Sequence, residues 1–488
     1  MTVRVEKPVA AGIADPAAIM TGGGDGRIRL DPATGLNRYH SAPRPSAALA
    51  YASSTANDIS PAAYAEVAAR LAGWGDALSP AGYAAGLDAL RRRIRRAYRL
   101  PGETGIVFAP SGTDLEYVAL AAVAGRAPGG TCNLLLGADE VGSGCIHSAH
   151  GRYFAEATAL GVATRPGAPV AGLDGVRVGL VDVKVRDARG RVRPSAEIAA
   201  EMAAACAAAA AARRHPLVHV VHGSKTGLIL PSLADIDALR GRGASLVVDA
   251  CQARITSAAV RDYLARDAIV FVTGSKFMGG PPFSGFALVP PTLAAGAAPL
   301  PEGLATVFRR AEWPPGWPGA EILPDTANPG LLLRLEASIF ELERFQALAA
   351  ADAERVILAF HGAVRAEIVE RTPARRVAPY PPGEREEADT HPVEMRTLST
   401  LDLTGLGGGA ATLEDAQGWH KAMLAHGVRL GQPVKCVRLS DGRWGATLRI
   451  GLAMWQIVDR ATLDQAALAR AFADDMAKVR EALAAVAG

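Results

Sequence analysis

The 488-residue chain lacks the features that would place it in several large classes of protein. Its five cysteines, Cys132, Cys145, Cys206, Cys251 and Cys436, are odd in number and scattered. They lack the close pairs of a structural zinc site, and a reducing compartment fits them best. No apolar stretch at the N-terminus suits a secretory signal. The longest apolar run, Met202 to Ala212, is mostly alanine and falls short of the ~20 residues that cross a bilayer. A cytoplasmic protein with no membrane association is the expectation. Net charge is only +3. The densest basic cluster, Arg91 to Arg96, reads as the wet face of a helix, so nucleic acid is not an expected partner. No G-x-G-x-x-G follows an early strand, which argues against a dinucleotide-binding oxidoreductase.

The remaining composition, 49% hydrophobic and 21% charged, is that of a globular protein with a large core, and the length suggests roughly two to four domains. Residues 1 to about 60 are rich in Gly, Pro, Ser and Asp and read as an arm over the body. Ser60-Pro61 and Ser79-Pro80 predict helix starts, each a cap followed by a first-turn proline. From residue 105 short apolar runs alternate with helical patterns. Strands are predicted at Gly105–Ala109, Cys132–Leu136, Val176–Val181, Leu217–Val221, Leu246–Val248, Ile269–Val272 and Gly285–Val289. Helices are predicted at Asp114–Ala124, Gly151–Leu160, Ser195–Arg213 and Leu233–Arg240. Runs apolar throughout imply strands buried on both faces, as in a mostly parallel sheet. One long helix or a broken pair is expected over 329–372, after Asn328-Pro329, and an exposed proline-rich loop over 373–394. Strands at Met395–Leu403 and Ala446–Leu452 and helices at Leu413–Ala425 and Thr462–Val486 complete the pattern. The expected organisation is an arm with helices (1–75), a large seven-stranded α/β domain (76–300), and a connecting helix with a smaller α+β domain (301–488).

Chemistry gathers at the strand ends. Asp249 closes the apolar run LVVD, and ligands of open α/β sheets bind at that edge. Taken alone, it better suits a cap for the next turn. Gln252 follows three residues on. After the next strand comes Thr273-Gly274-Ser275-Lys276, then Gly279-Gly280. Lysines are usually solvated, and one set between an apolar strand and a glycine turn is unusual. Pyridoxal phosphate explains the set. Its pyridine nitrogen needs a buried carboxylate to stay protonated, its aldehyde needs a desolvated lysine amine for a Schiff base, and its phosphate needs hydroxyls and backbone N–H groups. Ser111-Gly112-Thr113 follows a strand and opens a helix, which suits the phosphate.

The order strand–SGT–helix, D-x-x-Q, then T-G-S-K-x-x-G-G resembles the fold-type-I pyridoxal-phosphate enzymes, in particular the class V aminotransferase and cysteine desulfurase group. The 27-residue separation of Asp249 and Lys276 is typical of that group. His222-Gly223-Ser224-Lys225-Thr226-Gly227, with Pro231, resembles its "TG…P" segment, and Thr447-Leu448-Arg449-Ile450 its carboxylate-binding strand. The likeness spans about residues 75 to 480. It implies that Lys276 carries the Schiff base and that Asp249 pairs with the pyridine nitrogen. It places Gln252 near the ring oxygen or phosphate, and Ser111, Gly112, Thr113, Thr273 and Ser275 around the phosphate. It implies that Arg449 holds a substrate carboxylate and that Thr326 reaches a phosphate across a homodimer.

Three departures stand out. Ser275 replaces a frequent histidine, no ring lies in Asp139–Gly144 to stack on the cofactor, and Lys225 stands where relatives are often uncharged or acidic. His147 or His150 could supply the ring; both also read as ordinary helix residues. Lys225 could bind an acidic substrate group or cap its turn. The expected activity is an aminotransferase on an amino acid or keto acid, with a lyase performing elimination or carbon–carbon cleavage as the alternative. A catalytically inactive scaffold is the non-enzyme reading. Desulfurization needs a cysteine on a mobile loop, whereas Cys436 lies in Val434–Val437, which reads as a strand.

Overall fold

The computed structural model describes residues 15–74, 77–174, 177–379 and 396–488. Residues 1–14 of the arm, Val176, Met395 and most of the predicted loop at 373–394 lie outside the described residues.

The arm contributes β1 (Leu49–Tyr51). The large domain supplies β2 (Gly105–Ala109), β3 (Thr131–Leu136), β4 (Val178–Val183), β5 (His215–His222), β6 (Ile229–Leu230), β7 (Ser245–Asp249), β8 (Ala268–Thr273) and β9 (Gly285–Val289). The C-terminal part adds β10 (Arg375–Arg376), β11 (Leu398–Asp402), β12 (Val428–Leu430) and β13 (Thr447–Gly451). The main sheet runs β2-β9-β8-β7-β5-β3-β4, with β6 paired to β5 outside that path. All seven expected strands form. The eighth, β6, was missed because two residues carry no periodic signal. Strands β3, β4, β5, β7 and β8 are mutually parallel, and β9 runs antiparallel to both β8 and β2. Every residue of β2, β3, β7, β8 and β9 is buried, as continuous apolar runs require when helices cover both faces. Because β2 shares the direction of β7 and β8, the chain leaves Ala109, Asp249 and Thr273 on one edge of the sheet.

The smaller sheet, β10-β11-β13, is antiparallel, and β1 of the arm pairs with β12 in parallel register, Leu49 opposite Val428. The arm thus adds a strand to the C-terminal part. The helices at Pro61–Ala72 and Pro80–Tyr98 begin as expected, with the hydroxyls of Ser60 and Ser79 accepting from the backbone N–H groups of Ala63 and Gly82. The 329–372 segment is the broken pair, Pro329–Gln346 and Ala350–Val364, closed by a π-turn over Arg365–Val369. The helices Leu413–Ala422 and Gln465–Ala487 flank the smaller sheet. Among the described residues no helix is long and apolar enough to cross a membrane.

Two local expectations are corrected. Gly151–Leu160 is not helical; a four-residue helix, Cys145–Ser148, precedes it. The segment folds back on itself instead. Tyr153 N donates to Ala168 O at 2.8 Å, Thr164 N donates to Glu156 O at 2.8 Å, and bridges pair Arg152 with Pro169 and Ala157 with Ala163. Val434–Val437 is not a strand. The Thr447 hydroxyl holds Val434 at both N (2.9 Å) and O (2.6 Å), and Pro433 has no N–H for a ladder.

Candidate active site

A cavity of about 590 Å³ opens at the carboxyl edge of the main sheet. Ser111, Gly112, Thr113, Asp249, Gln252, Thr273, Ser275, Lys276 and Arg449 all line it, so nine of the ten expected site residues converge there from four separate stretches of chain. The tenth, Thr326, stands exposed outside the cavity, so reaching a phosphate would require a second copy of the chain.

Lys276 follows the carboxyl end of β8, and its Nζ donates to the Thr55 carbonyl of the arm. Burial drops its pKa from 10.5 to about 7, and the nearby Arg449 guanidinium adds to the fall. The amine is therefore substantially neutral, hence nucleophilic, near neutral pH. Asn57 holds the turn beneath it, donating to Ser275 O (3.1 Å) and Lys276 O (2.6 Å). On neighbouring β7, Asp249 accepts the Cys251 N–H on Oδ1 at 2.8 Å. The Cys251 thiol also interacts with this carboxylate, which lines the cavity. The Gln252 amide is oriented from behind: its Oε1 accepts from Arg254 Nη1 (2.8 Å), so the amide nitrogen is on the other side and donates to Ser54 O (3.2 Å). Arg254 is itself fixed by Thr397 Oγ1 and Ser53 Oγ, each at 2.8 Å. Burial, with Arg449 next, lowers the Arg254 pKa to about 9.

Gly112 packs so closely that a Cβ there would lie 2.8 Å from Thr273 Cγ2. This glycine is needed for space and brings the Ser111–Thr113 loop, which precedes the helix Leu115–Ala122, onto the end of β8. We expect Gly112→Ala to cost about 1–3 kcal/mol, the usual penalty of overpacking. Thermal unfolding checks this, and an unchanged melting temperature would mean that the loop has room to move.

Arg449 on β13 reaches the cavity but is already engaged. It donates to Gln432 O (2.9 Å), Ser54 O (3.2 Å), Lys225 O (3.3 Å) and Thr55 Oγ1 (3.0 Å). Four of its five N–H groups are thus used within the protein, and burial lowers its pKa to about 10. Lys225 lines the same wall and donates to Asp139 O at 3.1 Å; burial first, then Arg449, depresses its pKa. Glu140 is buried beside them, and burial opposes its ionisation. Arg186, at 2.7 Å, and the Ser224 and Thr226 hydroxyls nevertheless hold its carboxyl below the usual range. It is therefore a charge committed to the wall. Neither His147 nor His150 lines the cavity, where Val141, Cys145 and Ile146 stand instead.

The sequence reading missed Arg27, Ser54, Thr55, Asn57 and Arg254. Gly22-Gly23-Gly24 ahead of Asp25 and the polar run Ser53-Ser54-Thr55 were the available signals in the arm. They were muted because three of the contacts use backbone carbonyls, which every residue possesses.

No family model matches the chain, and no curated protein sequence does. Solved structures do share its fold. A cysteine desulfurase from Escherichia coli is 16% identical, aligning 90% of this chain with 95% of its own at a TM-score of 0.56. A ureidoglycine–glyoxylate aminotransferase from Bacillus subtilis is 13% identical over 91% and 93%, at 0.54. The cystine lyase C-DES, solved as a mutant with glycine covalently linked to its pyridoxal-phosphate cofactor, is 15% identical over 86% and 96%, at 0.55. The architecture is that of the fold-type-I pyridoxal-phosphate enzymes, with the large, mostly parallel sheet and the smaller C-terminal part both in place.

Proposed function

We propose that this protein is a pyridoxal-phosphate enzyme acting on a small amino acid or keto acid, an aminotransferase in the first instance, with Lys276 as the catalytic lysine. One observation carries the reading: a desolvated lysine amine and a buried carboxylate stand at the carboxyl ends of two adjacent parallel strands, in a single cavity with a glycine loop at its end. The site passes a simple test of fit. Among the described residues the amine hydrogen-bonds a backbone carbonyl, Asp249 presents a carboxylate to the same cavity, and the small residues Ser111, Gly112 and Thr113 line its end.

When bound, pyridoxal phosphate supplies an electron sink for charge developing at the substrate α-carbon. Lys276 anchors it and, once free, moves the proton at that carbon. Asp249 accepts the ring N–H and stabilises its positive charge, while Gln252 offers an amide N–H toward the ring oxygen. Ser111, Gly112, Thr113, Thr273 and Ser275 surround the phosphate, with Thr326 of a second copy as an added donor in a homodimer. Arg449 fixes the substrate carboxylate through its remaining N–H and by exchange of a weak carbonyl contact; Lys225 lies beside it. Lyases share this fold and core, so lysis is the alternative reaction. Desulfurization is disfavoured by position: Cys436, although its segment forms no strand, is buried and does not line the cavity, and burial raises its pKa, away from a ready nucleophile.

The deciding experiment adds single amino acids to purified protein and assays keto acid, ammonia and sulfide while following cofactor absorbance. Keto acid that exceeds one equivalent per site only when an amino acceptor is added supports aminotransfer; continued release of ammonia or sulfide without an acceptor would establish lysis. We further expect Arg449→Lys to raise KM for the carboxylate substrate by the equivalent of about 2–5 kcal/mol while leaving the cofactor spectrum unchanged. An unaltered KM would make Arg449 structural.

A further inference from the structure

We propose that Arg27, delivered by the N-terminal arm, is the cation that neutralises the cofactor phosphate, so that the arm is an integral part of the cofactor site; this rests on the pyridoxal-phosphate reading above. The loop residues available to a phosphate, Ser111, Gly112 and Thr113, are uncharged, as are Thr273 and Ser275. A phosphate dianion set there needs a positive partner, since desolvating an anion without one is costly. Arg27 meets that need by position. It lines the cavity, its Nη2 lies 3.4 Å from Ser111 Oγ, and its guanidinium carbon stands 5.0 Å from the Phe154 ring centre and 5.3 Å from that of Phe283. Two aromatic faces confine it, a setting that suits a planar guanidinium better than an ammonium.

Arg27 is also held in place from behind. Asp25 takes Nε (2.8 Å) and Nη2 (2.7 Å) in a bidentate pair, so the cation stays charged although burial opposes it. The preceding turn is locked to the long helix Pro329–Gln346. Arg334, fully buried, donates to Met20 O and Gly22 O at 2.7 Å each and to Gly23 O at 3.0 Å, and Asn328 Nδ2 also reaches Gly23 O at 3.0 Å. A side chain at Gly23 would overlap Asn328. This clamp gives the glycine run its purpose: it sets the arm where Arg27 meets the loop. Asp114 completes the arrangement. Its carboxyl accepts from Ser111 Oγ at 2.6 Å, and burial raises its pKa to about 7, so an adjacent phosphate favours its neutral form over a second anion.

The test compares pyridoxal phosphate with pyridoxal, which lacks the phosphate, by absorbance titration of the apoprotein without substrate. Wild type should prefer pyridoxal phosphate strongly. Arg27→Gln should weaken pyridoxal phosphate roughly 10–100-fold, as expected for a lost charge-assisted hydrogen bond, and leave pyridoxal within about threefold by the same reasoning. Arg27→Lys should restore part of the preference. Because Arg27→Gln strands Asp25, the double variant Asp25→Asn/Arg27→Gln is titrated beside it, with the melting temperature recorded for each. Full retention of the preference for the phosphorylated form in both variants, or an equal loss for the two ligands, would overturn the assignment while leaving the enzyme reading intact. Wild-type protein that takes up neither ligand would sink both.

Discussion

Lys276→Ala is expected to lose all covalently held cofactor. Borohydride should fix pyridoxal phosphate to Lys276 in wild-type protein, seen by peptide mapping, and to no lysine in the variant. Turnover should fall by at least about 10²–10⁴-fold, the contribution of a positioned proton-transfer group, with the loss of anchoring added. The prediction follows from the environment of the amine: full burial and a neighbouring guanidinium bring its pKa to about 7. The sign follows from which form reacts. Protonated amine is inert, so capture of the aldehyde by wild-type apoprotein should accelerate as pH rises through about 7 and level off above it. Mapping of the reduced adduct to Lys225, the other cavity lysine with a depressed pKa, would reassign the anchor.

Asp249→Asn is expected to reduce turnover by about 10²–10³-fold, the scale seen when one preorganised electrostatic partner is removed. The substitution keeps the size of the side chain and an oxygen to accept the Cys251 N–H, so the β7 turn persists. What it would remove is the negative charge that, with pyridoxal phosphate bound, would keep the pyridine nitrogen protonated. Asp249→Ala should show a similar kinetic loss and a larger drop in melting temperature, because the Cys251 N–H then loses its acceptor. Turnover within threefold of wild type for the asparagine variant would mean that another group supplies the charge.

Both predictions use residues legible from the sequence, and the reason is local. Apolar runs such as Ser245–Asp249 and Ala268–Thr273 are continuous because helices cover both sheet faces, and a charged residue ending such a run stands out against them. The Ser111–Thr113 loop stood out for a similar reason: small residues between a strand and a helix mark a loop that can line a cavity, which it does. Where short-range pattern was ambiguous the reading failed. Gly151–Leu160 has helical spacing, yet pairs across a turn with residues after it. Val434–Val437 looks like a strand, yet is pinned by one threonine hydroxyl. Arg449 was found by type and setting, but its engagement with three carbonyls and a hydroxyl depends on where the arm lies.

The sequence by itself determined the sheet, its carboxyl edge and the pair Lys276 and Asp249, because burial on two faces imposes a pattern within each short segment. Only the tertiary structure decided that the arm completes the site. Thr55 meets Lys276 from 221 positions away, and Arg334 grips the glycine turn from more than 300. These contacts join a side chain to a backbone carbonyl. Since every residue has such a carbonyl, no residue type announces the acceptor, and only the path of the folded chain selects it.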